Sequence, residues 1–219
     1  MDFELDGNVY RARQLARLEW LEHGFGTRSF PPPEPLATLR QIHSDIAVYA
    51  DRCGCLGEGD ALLSDTPGQR IGVKTADCLP ILLVDERHRS IAAVHAGWRG
   101  TVSLVAIWAL RAMSTRWHTS PQDVHAAIGP GIGKCCFEVG PEVSVQFDEV
   151  DGRTHIDLVA ANRRQLIEAG LAPERIYSSG LCTFCNGERF HSFRRDREQA
   201  GRMISYAGVR AAKTQRARE

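Results

Sequence analysis

Three polar side chains stand out as candidates for chemistry: His43, Cys78 and His95. Cys78 ends the polar turn Thr75-Ala76-Asp77-Cys78, and His95 ends the apolar run that follows. Two imidazoles and one thiolate suit zinc. With no fourth protein ligand in view the remaining position is open, as catalytic zinc sites require. A metal held this way lowers the pKa of water toward neutrality and so makes a nucleophile available. Zinc deaminases use a related mixed His/Cys set against purine or pyrimidine carbons. The three residues are widely separated in the chain, so such a site exists only after folding. Spacing alone leaves a second reading open, in which a cysteine and two histidines sit apart as core residues.

The elements that must bring them together are legible as patterns. Residues 79–84 and 91–94 read as buried strands joined at the polar Asp85-Glu86-Arg87-His88-Arg89, a hairpin that returns His95 to the sheet end at Cys78. Residues 36–44 form a short helix or an extended run that delivers His43. Further strands are predicted over 46–50, from 59 into 64, and over 70–74, 123–128, 175–179 and 189–193, with a short one at 201–206. Residues 1–22 hold a strand or hairpin turning at Gly7-Asn8, and Cys53-Gly54-Cys55 is a turn. One helix is expected over 102–117, capped by Thr101, with Leu104, Val105, Trp108, Ala112 and Met113 facing the core. A second runs from Asp157, its N-cap, to Ala169 and stops at Gly170; its apolar face carries Val159, Leu166 and Ile167. Strands and helices alternate, joined by both hairpins and crossovers, and no repeat or linker interrupts them. The pattern is that of a mixed α/β (α+β) single domain spanning residues 1–219.

Other residues carry a functional and a bland reading side by side. Arg28 can grip an anion or be a surface arginine. Asp60 can orient a ligand imidazole from behind or cap a turn. Lys74 points a charge toward the Cys78 end of the sheet, and Asp77 can bond to the site or to a substrate. Arg99, next to helix amides, can favour a phosphate or form a structural ion pair. The loop Gly129-Pro130-Gly131-Ile132-Gly133-Lys134-Cys135-Cys136 fails the phosphate-binding G-x-x-x-x-G-K-[ST] pattern, because cysteine follows the lysine and the spacing is short. It reads instead as a loop shaping a pocket, with the side chains of Cys135 and Cys136 diverging along an extended backbone. Cys182-Thr183-Phe184-Cys185 has the spacing of a redox motif or a zinc knuckle. The Asn186-Gly187 turn after it argues against a redox helix, which leaves the two as core thiols. Cys53 and Cys55 are spare thiols, and His191 is a rim or packing residue.

Bulk composition narrows the class. Hydrophobic residues make up 43% and charged residues 25% of the 219, as in ordinary globular chains. Lys+Arg and Asp+Glu balance at 27 each, which gives no electrostatic case for nucleic acid or membrane binding. The basic run from Arg210 to Arg218 is local and reads as a frayed end. The acidic start, Met1-Asp2-Phe3-Glu4, has no signal-peptide character, and no apolar run approaches the ~20 residues of a membrane span. Seven cysteines cannot all pair, and with no export signal this points to reduced thiols in the cytoplasm.

Gln41-Ile42-His43, Thr75-Ala76-Asp77-Cys78 and His95-Ala96-Gly97-Trp98-Arg99-Gly100 together resemble the signature of the YfiH laccase-domain family, often labelled polyphenol oxidase. Gly24-Phe25-Gly26-Thr27-Arg28, Gly59-Asp60-Ala61-Leu62, Ile128-Gly129-Pro130-Gly131-Ile132-Gly133 and Ser192-Phe193-Arg194-Arg195-Asp196 match in family order. The resemblance implies a layered fold of mixed β-sheets flanked by helices, with the matching His43, Cys78 and His95 as active site and zinc ligands, one ion per chain. It implies purine nucleosides and phosphate as substrates: phosphorolysis of adenosine, inosine, guanosine and S-methyl-5′-thioadenosine, with adenosine deamination besides. Arg28 and Arg99 are then the candidates for holding phosphate, and Asp60, Lys74 and Asp77 for other substrate contacts. Where family members have a Gly-rich turn, this chain has Ser29-Phe30-Pro31-Pro32-Pro33-Glu34-Pro35, a stiff loop that puts substrate contacts from that segment in doubt. The competing expectations are a copper-dependent polyphenol oxidase, with Cu2+ at the same ligands, and a hydrolase using Cys78 as nucleophile. Multicopper oxidases need paired His-x-His arrays, and this chain has 8 histidines and no such pair. No partner protein is implied; a monomer or weak dimer is expected.

Overall fold

The apolar runs flanking Cys78 and His95 become the middle of the molecule. The computed structural model describes residues 2–147 and 154–211. The tail expected to fray lies, from residue 212 onward, outside the described residues. In chain order the strands are β1 Phe3–Asp6, β2 Val9–Ala12, β3 Leu21–Gly26, β4 Ala37–Arg40, β5 Ala47–Tyr49, β6 Gly54–Glu58, β7 Ala61–Ser64, β8 Arg70–Thr75, β9 Leu79–Asp85, β10 Ser90–Ala96, β11 Val124–Ile128, β12 Glu138–Val139, β13 Thr154–His155, β14 Ile176–Ser178 and β15 Met203–Val209. The helices are α1 Trp98–Val102, α2 Val105–Trp117, α3 Pro141–Ser144, α4 Leu158–Glu168 and α5 Phe193–Asp196.

Two mixed sheets stack. One has six strands in the order β14-β11-β9-β10-β7-β5, the other seven in the order β1-β2-β3-β15-β8-β4-β6. Every residue of β9 and β10 is buried. Strands covered on both faces read as continuous apolar runs, and that is the pattern around residues 79–96. Alternation divides β9 between two cores. Leu79, Ile81 and Leu83 pack with α2 and α4 on one side. Leu82 and Val84 pack on the other against Phe25, Val73 and Ala207 of the seven-stranded sheet. The layers are therefore sheet, sheet and helices, a mixed α/β arrangement as expected.

The hairpin closes as the pattern implies. His95 faces Pro80 and Ala96 faces Leu79, so the end of β10 meets the start of β9, one residue from Cys78. No helix among the described residues is long and apolar enough to cross a membrane.

Local expectations needed correction where a backbone break or a cap intervened. The helix predicted over 102–117 is two helices, broken at Leu104 with φ of 61°. Thr101 lies inside α1, fully buried, its Oγ1 accepting from Asn162 Nδ2 at 2.9 Å, and Gly97 takes the cap position. The break rotates the buried stripe onto Val105, Ala106, Ala109, Leu110 and Met113, leaving Trp108 44% and Leu104 38% exposed. The α4 cap is as read, with Asp157 Oδ1 accepting from Ala160 N at 2.9 Å. Its inward face is Leu158, Ala161, Asn162 and Leu166, and Ile167 faces out. Residues 189–193 form no strand, because Ser192 accepts from Arg195 N at 3.2 Å and starts α5 instead. Residues 203–209 are more than an added edge: β15 lies between β3 and β8. Residues 37–40 take the extended form of the two expected, and the turn expected at Cys53-Gly54-Cys55 is in part strand, since Gly54 and Cys55 open β6, with both thiols exposed.

Candidate active site

His43, Cys78 and His95 meet, with one potential ligand atom from each within 4.8 Å of the others. The two imidazoles lie 5.0 Å apart between centroids, tilted by 66°. His95, at the end of β10, is buried; Cys78 is partly exposed and His43 exposed.

Asp60 organises this group. Fully buried at the start of β7, it bonds His95 Nδ1 through Oδ1 at 2.7 Å. Its Oδ2 accepts from Ser44 N at 2.6 Å, Ser44 Oγ at 2.7 Å and Ile42 N at 3.2 Å. These amides flank His43, whose φ of 60° is uncommon for a residue with a Cβ. One carboxylate thus fixes one imidazole by its far nitrogen and the other by its backbone. Gln41 finishes the loop: it donates to the Lys74 carbonyl and accepts from Lys74 N, both at 2.7 Å, as a neighbouring strand would. Gly97 leaves the space open; a Cβ there would lie 2.7 Å from Cys78 Sγ and 3.3 Å from His43 Cδ2.

The electrostatics favour a thiolate beside imidazolium. Burial resists ionisation of Cys78, but hydrogen bonds from His43 and His95 bring its pKa down to about 6. Burial likewise resists charge on His95, yet Asp60 and Cys78 raise it to about 9. Asp60 is held at about 2 against its own burial by the bonds from His95 and Ser44.

A cleft of about 740 Å³ opens on these residues, within the range of small-molecule sites. Trp98, Ile132, Phe137 and Phe193 give it apolar surface. Lys74, Arg99, Arg194, Arg197 and Arg202 give it positive charge, with Arg99 lying 4.4 Å over the Trp98 ring. The sequence alone points to Lys74 and Arg99 here, and it shows Arg194 only as part of a motif, with no signal for Arg197 or Arg202.

Three candidate contacts move. Arg28 is not among the cleft residues; its guanidinium donates to the Gly187 carbonyl at 2.8 Å. Asp60 has no exposed surface and can act only through His95 and the His43 loop. Asp77 lines the cleft, but its carboxylate already accepts from Thr183 Oγ1 at 2.6 Å, Arg194 N at 2.7 Å and Ser192 Oγ at 3.1 Å. With φ of 86° it ties the turn before Cys78 to two distant loops. The Gly-rich loop approaches too closely for side chains: a Cβ on Gly131 would lie 2.5 Å from Leu79 Cδ2. It shapes the cleft through Ile132 and Phe137, while the proline-rich loop 31–35 contributes nothing to it.

A family model described as multi-copper polyphenol oxidoreductase laccase matches residues 22–210. The chain belongs to this family. Among curated relatives of this laccase-domain chain, a purine nucleoside phosphorylase of Deinococcus radiodurans is 39% identical over 91% of the chain and 76% of its own length. Adenosine deaminase RL5, from an unknown prokaryotic organism, is 38% identical over 78% of the chain and 74% of its own length. The crystal structure of YlmD from Geobacillus stearothermophilus superposes with a TM-score of 0.87 at 26% identity, covering 95% of this chain and 99% of that one. The laccase-domain fold thus holds across nearly the whole chain.

Proposed function

We propose that this protein is a zinc-dependent purine nucleoside phosphorylase acting on adenosine, inosine, guanosine and S-methyl-5′-thioadenosine, with adenosine deaminase activity. The observation that carries the reading is the convergence of His43, Cys78 and His95 on one point of a cationic, aromatic-lined cleft. The relatives' names supply the substrate class. The donor set fits a metal: three donors within reach, one imidazole held by a buried carboxylate at its far nitrogen, and a thiol whose proton is loosely held. When bound, zinc supplies a Lewis acid that polarises an oxygen or activates water.

The chain's own residues do the rest. Trp98, Phe137 and Phe193 offer faces and edges to a planar purine. Lys74, Arg99, Arg194, Arg197 and Arg202 hold phosphate and keep its oxygen beside the sugar. In phosphorolysis a phosphate oxygen bonds to C1′ as the bond from C1′ to the base nitrogen breaks, and the base leaves with a proton. In deamination water adds at C6 of adenine and ammonia leaves. The cysteines are unpaired, which fits a reducing cytoplasm.

A copper-dependent phenol oxidase draws support from the family's description. Among the described residues, however, the candidate metal cluster at the cleft holds only two histidines. That suits one ion and not a trinuclear copper centre. The test is Cys78→Ala set beside the parent protein, with zinc content and release of ribose 1-phosphate from inosine plus phosphate as readouts. Loss of turnover together with the one equivalent of zinc held at the cleft supports the assignment. Turnover retained in the folded variant refutes it, and metal-free turnover abolished by alkylating Cys78 would assign a thiol nucleophile instead.

A further inference from the structure

Four cysteines unused by the site above form a second cluster. Cys135, Cys136, Cys182 and Cys185 bring their sulfurs within 4.8 Å of one another. The sequence pattern implies instead that the adjacent pair diverges and the other pair lies in the core. The backbone explains the difference. Residues 134–136 form a turn rather than an extended run, closed by Cys136 N and Phe137 N on the Gly133 carbonyl at 2.9 and 3.0 Å, so adjacent side chains reach the same side. Residues 183–185 form a second turn, closed by Asn186 N on the Cys182 carbonyl at 3.1 Å. Gly131 and Cys182 are joined by a β-bridge that sets the two turns face to face.

The spacing distinguishes what such a cluster is for. Tetrahedral zinc with Zn–S of 2.3 Å places its sulfurs about 3.8 Å apart. Cys135 and Cys136 Sγ lie 3.7 and 3.4 Å from Cys185 Sγ. A disulfide needs about 2.05 Å, and all four cysteines are free. An iron–sulfur cluster spreads its thiolates over different irons and so needs wider separation. Gly133 N donates to Cys182 Sγ at 3.2 Å, a bond that stabilises a thiolate.

We propose that Cys135, Cys136, Cys182 and Cys185 bind a second zinc ion, four-coordinate and structural, each thiol releasing its proton to solvent on binding. Four protein ligands leave no open position, in contrast to the three at the cleft. The ion ties together two loops that carry cleft residues. The first turn leads from Ile132 to Phe137, and the second holds Thr183, whose hydroxyl binds the Asp77 carboxylate beside Cys78. Its role is to brace one wall of the cleft. The inference stands independently of which reaction the cleft performs.

The test is zinc content and thiol reactivity of the reduced full chain. The parent should hold about two zinc equivalents. His43→Ala and Cys185→Ser should each hold about one, from opposite sites. Cobalt loaded into His43→Ala should show the intense near-ultraviolet charge-transfer absorption and visible bands of a four-thiolate tetrahedral ion. In the parent, alkylation followed by mass spectrometry should spare these four cysteines until a chelator is added, while exposed Cys53 and Cys55 react at once; this readout needs no substitution. Metal-free His43→Ala, with the four cysteines alkylated as fast as Cys53 whether or not zinc is present, overturns the proposal. So does an obligatory disulfide among them. Absence of zinc from the cleft alone would appear differently, as one equivalent untouched by His43→Ala and lost in Cys185→Ser.

Discussion

Asp60→Asn tests how the site is held. Three donors, Ser44 N, Ser44 Oγ and Ile42 N, converge on Oδ2, and one ring nitrogen, His95 Nδ1, meets Oδ1. An amide of the same shape has one acceptor oxygen and one NH2. Turning the NH2 toward the three donors would leave partly buried donors without an acceptor, at a cost toward the low end of about 1–3 kcal/mol each. The oxygen therefore stays with the His43 loop, and the NH2 faces His95. His95 must then accept at Nδ1 and carry its proton on Nε2, the nitrogen left for a metal. The variant should fold and keep the His43 loop, yet lose roughly tenfold to hundredfold in zinc affinity and in kcat/KM, about 1.4–2.7 kcal/mol. Competition against a chromophoric chelator measures the affinity. Long-range proton–nitrogen correlation in the metal-free protein reads the His95 tautomer directly. Zinc affinity within twofold of the parent, or a proton still on Nδ1, would refute the reasoning.

Two further outcomes follow from single positions. Gly97→Ala is compatible with its backbone, φ −75° and ψ −179°, but places a methyl 2.7 Å from Cys78 Sγ. It should lower turnover about a hundredfold while the melting temperature shifts little; a fully active variant would contradict the assigned geometry. His23, buried in β3 and accepting from Ala12 N at 3.0 Å, is pushed down to a pKa of about 4 by burial and the Arg11 charge. Between pH 6.5 and 4 the unfolded chain binds this proton and the folded chain does not. Its contribution is therefore complete above pH 6.5 and is lost as pH falls, by about 3 kcal/mol at the low end. Urea unfolding across that window should show the loss, and His23→Gln should flatten it; an unchanged slope would exclude His23 as the source.

The sequence by itself determined the central hairpin. Residues 79–84 and 91–94 are apolar without interruption because both faces of their strands are covered, and a two-strand return is a local event. It therefore also determined that Cys78 and His95 share a sheet end. Asp157 as a cap was legible for the same reason, since the bond spans three residues. Only the tertiary structure decided the rest. The two-residue break at Ser103-Leu104 turns on backbone angles that no side-chain pattern records, and it leaves Trp108 exposed. Asp60, Asp77 and the four-cysteine cluster depend on partners 16 to 117 residues away in the chain. Sequence shows that a carboxylate or a thiol is present. Whether it faces a ligand, a backbone amide or another thiol is settled by which loops the two sheets bring together.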